Sequence, residues 1–199
     1  MMPHPKPPQG PIKNVRVPKS DVDAAQAVTP PRFARTENAK RFAVMGAAIL
    51  EKLCRSGHLS VHAKRTTPYI LDTARGRTAV SVMVSTVSGD PSTKHMLVPL
   101  TSLGLPPGVT NHVLVCAFVS KHEHARESHC GINVKLAGWA TDEETMRYAR
   151  AVTSVATRVE IAAVPVSSLH PIQTLRHYLS PNKPQQGEQT CESHASDAC

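Results

Sequence analysis

A chain of 199 residues is long enough for one domain of ordinary size and hardly for two. No apolar run approaches the ~20 residues of a bilayer span, and prolines stand where a signal peptide would carry its apolar core, so the expectation is a cytoplasmic protein with no membrane partner. The formal net charge of +8 makes nucleic acid or an acidic surface the favoured partner; a basic protein with no polyanion partner is the plain alternative.

Eight of the 17 prolines fall in residues 1–31, which hold no aromatic residue and no leucine. Such a segment buries too little apolar surface to offset the entropy of ordering it, so 1–31 is expected to be a disordered, basic arm. Residues 180–199, rich in Ser, Gln, Glu, Pro and Asn, are expected to be a disordered tail. That leaves 32–179 as the folding unit. Cys54, Cys116, Cys130, Cys191 and Cys199 are odd in number and show no C-x-x-C, which argues against a disulfide framework and for a reducing compartment.

The first expected element is a helix over 38–55. Thr36 is its candidate N-cap, Phe42, Met45, Ile49, Leu50 and Leu53 form one stripe, and Gly57 ends it. HLSVHAK alternates briefly, and TPYILD is a second short apolar run ending in Asp72. ARGR reads as a turn. TAVSVMVSTVS, with β-branched Val80, Val82 and Val84, is the strongest strand signal. SGDPSTKHMLVPL is a loop running into a short element. The unbroken apolar run Val113–Val119 predicts a central strand buried on both faces. KHEHARESHCG reads as a polar turn and INVKLAGWA as a further strand. Thr141 caps a predicted helix in DEETMRYARAVTSVATRVE, its first turn carrying Asp142, Glu143 and Glu144. IAAVPVSSLHPIQTLRHYL closes with an apolar stretch and a helical turn. This order predicts an α/β (α+β) domain with a central mixed sheet flanked by helices.

From Ala39 to Leu179 the order of elements resembles the restriction-endonuclease-like fold, the PD-(D/E)XK nuclease superfamily. In MGAAILEKLCRSG, Gly46 matches the family glycine, Ala47 stands at the family glutamate, and Glu51 lies one turn later, about 400° around the helix. In YILDTARGRTAVSVMVST, Asp72 matches the acid before the turn, while Met83 and Ser85 stand where an acid and a lysine belong. The resemblance implies a degenerate active site with Asp72 and Glu51 as vestigial candidates. Mg²⁺ needs hard oxygen ligands and the reaction a nearby lysine; Met83 offers a thioether and Ser85 no charge. The expected function is therefore a catalytically inactive nuclease-like domain that binds nucleic acid, with no cofactor. The alternatives are a protein-interaction module and an active Mg²⁺-dependent nuclease with a rebuilt site. The plain readings are a turn aspartate for Asp72 and a solvated helix residue for Glu51.

Lys52, Arg55, Lys64, Arg65, Arg75 and Arg77 crowd one stretch opposed only by Asp72; they are the candidate phosphate contacts, or else a solvated rim. His122, His124, His129 and Cys130, with Glu123 and Glu127 among them, are candidate zinc ligands at a non-standard spacing; a polar hairpin turn is the preferred reading. Trp139, the sole tryptophan, reads as a packing residue. With seven Phe, Trp and Tyr in the chain, base stacking on an aromatic platform is not expected. No phosphate-cradling glycine loop or nucleophile elbow is present.

Overall fold

The stripe from Phe42 to Leu53 forms one helix, α2 (Glu37–Arg55), with Met45, Ile49, Leu50 and Leu53 buried and Phe42 packed at the margin. The computed structural model describes residues 12–28, 37–57, 69–120, 131–149 and 160–180. The Thr36 cap, the HLSVHAK strand and the 121–130 turn all lie outside the described residues.

The strands are β1 (Lys13–Val17), β2 (Tyr69–Thr73), β3 (Gly76–Val87), β4 (His95–Pro99), β5 (Asn111–Ser120), β6 (Ile132–Thr141) and β7 (Ile161–Pro165). Five of them form one sheet in the order β1-β6-β5-β3-β2, and β4 pairs with β7 separately. The β3–β5 pair is parallel and the other pairs are antiparallel, so the fold is α+β around a mixed sheet, as its sequence predicts.

Strand alternation divides the core in two. Val113, Val115, Ala117 and Val119 of β5 face α2, and Leu114, Cys116 and Phe118 face the β4–β7 pair. Both faces of β5 are therefore covered, which accounts for its unbroken apolar run. At Gly46 the helix comes so close that a Cβ would lie 3.2 Å from the Val82 carbonyl oxygen; a side chain there would require α2 and β3 to separate by a few tenths of an ångström.

Two expectations need correction. Residues 13–28, expected within a disordered arm, form β1 and the helix α1 (Lys19–Val28). β1 takes the free edge of β6 in register from Lys13–Leu136 to Val17–Ile132, and Val17, Val22 and Ala25 enter the core. A few small apolar residues suffice when a sheet edge supplies the hydrogen bonds, which composition alone does not reveal. Second, the helix expected after Thr141 is the six-residue α3 (Asp142–Arg147). Ala149 already bridges Ala162 in antiparallel fashion; residues 150–159 lie outside the described residues.

α1 is fastened to α2 electrostatically. Asp21 is fully buried, and Arg55 Nη1 lies 2.7 Å from its Oδ1. The distance is that of an ion pair, without the alignment of a full hydrogen bond. Arg55→Ala would strand a buried carboxylate and is expected to cost about 2 kcal/mol in urea unfolding. Deleting residues 1–28 should lower the urea midpoint and expose dye-binding apolar surface. A truncated protein with the full-length midpoint would contradict the packing of β1 and α1.

Candidate functional site

β1 covers the outer edge of β6 only as far as Leu136. Beyond it the chain at His170 takes over that edge: the Trp139 amide donates to the His170 carbonyl at 3.0 Å and the His170 amide to the Trp139 carbonyl at 2.8 Å. Gly138, at φ +146°, makes the approach fit, because a Cβ there would collide with the His170 carbonyl and Leu169. The Trp139 indole donates to the Pro171 carbonyl at 3.1 Å and to Thr174 Oγ1 at 3.0 Å. Trp139 is 3% exposed, in keeping with its reading as a packing residue.

Around it stands a column of planar groups. His170 stacks on Trp139 at 4.5 Å and 28°, and Tyr178, on the short helix α4 (Leu175–Tyr178), tilts over Trp139 at 4.5 Å. Arg75, in the β2–β3 turn, holds its guanidinium carbon 4.7 Å from the centre of the Tyr178 ring. Such a contact contributes about 0.5–1 kcal/mol at an exposed site and restrains the arginine. The Ala74 amide ties the turn to the Ser180 carbonyl at 3.3 Å. These groups, with His177 and Thr174, line a cleft of about 480 Å³.

The far end of the column is acidic. His170 Nε2 lies 2.8 Å from Glu144 Oε1, and Glu144 also closes the capping box on Thr141. Burial pushes the Glu144 carboxyl up, but hydrogen bonds from Thr141 and His170, with the histidine's charge, outweigh it and hold the group below the ordinary glutamate value. Burial raises the Tyr178 phenol, against the pull of Arg75 and with the help of the α3 acids, so the hydroxyl stays protonated at neutral pH. Nearby, buried His112 meets Ser81 Oγ through Nε2 at 2.9 Å, and its Nδ1 has no partner among the described residues. Burial lowers the His112 pKa against the opposing charge of Asp142.

The nuclease-type acids do not converge. Glu51 accepts the Tyr69 hydroxyl at 2.6 Å, on the helix-facing side of β2 that Tyr69 and Leu71 define. Asp72, one residue on from Leu71, is exposed on the other side and sits across from Arg77. Met83 packs into the second core, six residues or about 20 Å along β3 from Arg77. These residues do not fit a Mg²⁺ site: one carboxylate is engaged by a phenol, the other faces away, and a thioether fills the third position.

The candidate phosphate contacts also separate. Lys52 lines a groove of about 410 Å³ beside Lys13, Asn14 and Arg16 of β1, and Arg55 neutralises Asp21. Arg75 and Arg77 stand at the opposite edge of the five-stranded sheet, four strand spacings or about 19 Å away. Lys64 and Arg65 lie outside the described residues, as do His122, His124, His129 and Cys130 with Glu123 and Glu127. No group of three or more potential metal ligands occurs among the described residues. The sequence does not single out His170, Tyr178 or the role of Glu144. The T-x-x-E box is a signal for Glu144 alone; nothing local marks residues 170 and 178 as neighbours of 139.

A scan against protein-family models, a search of curated proteins and a search of solved structures each found no match.

Both His112 and Glu144 make the fold acid-sensitive. Each has a folded pKa below its unfolded one, so each contributes stability in full above the unfolded value and loses it as pH falls through the folded value. The unfolded values are the ordinary 6.5 for His112 and 4.5 for Glu144. The urea midpoint should therefore decline first below pH 6.5 and again below pH 4.5. Glu144→Gln should shrink the second decline, to which the lowered Asp90 carboxyl also contributes, and leave the first; an unchanged profile in that variant would refute the Glu144 assignment.

Proposed function

We propose that this chain is a non-catalytic nucleic-acid-binding domain whose contacts lie at the β2–β3 hairpin end of the sheet. The observation that carries the reading is a set of exposed arginines at the hairpin end of the sheet. Arg75 is on the wall of the aromatic cleft with His177, Arg176 precedes His177 on α4, and Arg77 lies in the same hairpin, opposite Asp72 on the other face of the sheet. Among the described residues neither Arg77 nor Arg176 has a carboxylate within ion-pair distance, so their charge is available for phosphates. The divergence of Glu51 and Asp72 supports binding without cleavage, and the resemblance to PD-(D/E)XK nucleases supplies a descent for such a domain with its acid–lysine pair lost. The groove beside Lys52 is a second basic surface, set apart from the first.

No described helix is long and apolar enough to cross a membrane. The buried Cys116 is in no disulfide, which fits a reducing compartment such as the cytoplasm.

Purified protein should bind duplex and single-stranded oligonucleotides without sequence preference and show no Mg²⁺- or Mn²⁺-dependent cleavage. Affinity should fall steeply with salt. Arg77→Ala with Arg176→Ala should flatten the duplex plot of log K against log[salt] by about 0.9 for each phosphate that is no longer neutralised. Absence of binding at low salt would remove this reading and leave a protein-interaction module in its place. Cleavage abolished by Asp72→Ala would restore the nuclease.

A further inference from the structure

Beyond contact with the backbone, we infer that the Arg75–Tyr178–Trp139–His170 cleft receives an unpaired nucleobase together with its adjoining phosphate. The inference rests on the nucleic-acid reading and names what that site takes.

Arg75 carries the argument. A surface arginine ordinarily samples many rotamers, and binding must restrict them. Here the guanidinium is held over the Tyr178 ring while the residue remains exposed. Its N–H edge is left for a phosphate, and its outer face offers a planar surface to a base, since bases stack on guanidinium planes as they do on aromatic rings. His177 adds a donor on the same wall.

The cleft's volume argues against a bare anion. About 480 Å³ lies within the 300–1,000 Å³ range of small-molecule sites and far exceeds what a phosphate needs. A nucleotide supplies both things the arginine can hold, a phosphate for its N–H edge and a planar base for its face. A duplex keeps its bases paired and stacked, so it reaches the arginines with its backbone only.

Trp139 is the sole tryptophan of the chain and forms the cleft floor, so its emission reports occupancy in the full-length protein. The probes are a mixed-sequence single-stranded 10-mer, the same sequence as a duplex, adenosine monophosphate and inorganic phosphate, all at matched ionic strength. The 10-mer should quench Trp139 saturably, with an affinity about tenfold above the duplex. Adenosine monophosphate should quench more weakly and compete with the 10-mer, and inorganic phosphate should not quench. Arg75→Ala should weaken the 10-mer about tenfold, and Arg75→Lys, which keeps the charge but not the plane, should resemble it.

Each contrary result has its own meaning. Equal affinity for single strand and duplex with unchanged Trp139 emission would overturn the base-binding cleft and leave backbone binding standing. Quenching by inorganic phosphate equal to that by the mononucleotide would reduce the site to an anion pocket and overturn the base. A phosphotyrosine peptide that outcompetes the 10-mer would overturn it in favour of a protein ligand. No binding of any nucleic acid would remove this inference and the reading beneath it together.

Discussion

The two main-chain hydrogen bonds between Trp139 and His170 are the constraint on which the aromatic cleft depends. β1 is too short to cover β6, and an open strand edge invites pairing with another chain. The returning segment closes that edge and in doing so delivers His170, Thr174 and Tyr178 to the tryptophan. Gly138 makes the closure sterically feasible. The indole hydrogen bonds to Pro171 and Thr174 then lock a side chain that would otherwise leave a buried donor unsatisfied. The cleft is thus a by-product of edge protection: the segment that covers β6 also builds its wall.

Charge is divided by the same architecture. In the chain, Lys52 to Arg77 looks like one basic stretch. In three dimensions α2 carries Lys52 and Arg55 toward β1, while the hairpin carries Arg75 and Arg77 to the other sheet edge. Arg55 is committed to Asp21 and contributes to cohesion instead of to a charged face. Removing α1 would both release that arginine and expose the core beneath it, so the basic surface and the stability of the fold are coupled through one ion pair.

How much of this is legible in the sequence follows from the range of each interaction. Periodicity is local, so α2, β3, β5 and β6 are all visible in runs of apolar residues, including the two-sided burial of β5. The order of the N-terminal arm is not visible, because it depends on a partner strand more than a hundred residues away, and composition sums only what a segment can bury by itself. The length of α3 is hidden as well, since the acids that start a helix say nothing of where it stops; the Ala149–Ala162 bridge ends it from outside. The column escapes notice for the same reason. Its members lie at positions 75, 139, 170 and 178, each unremarkable alone, and a low count of aromatic residues says nothing about whether they cluster.

That clustering bears on the resemblance to metal-dependent nucleases. Such a nuclease requires carboxylates to converge across strands, and here the two candidates face opposite sides of the sheet, one of them engaged by Tyr69. Placing an acid at position 83 or a lysine at 85 would not build such a site. Arg77, opposite Asp72, is about 20 Å along β3 from position 83, and Met83 is part of the second core. The ordered polar groups lie at the other end of the sheet, where Thr141, Glu144, His170 and Arg75 are tied to one another or to aromatic rings. The Tyr178 ring biases the exposed Arg75 toward one pose, and such restraint before binding would reduce the entropy that binding must overcome.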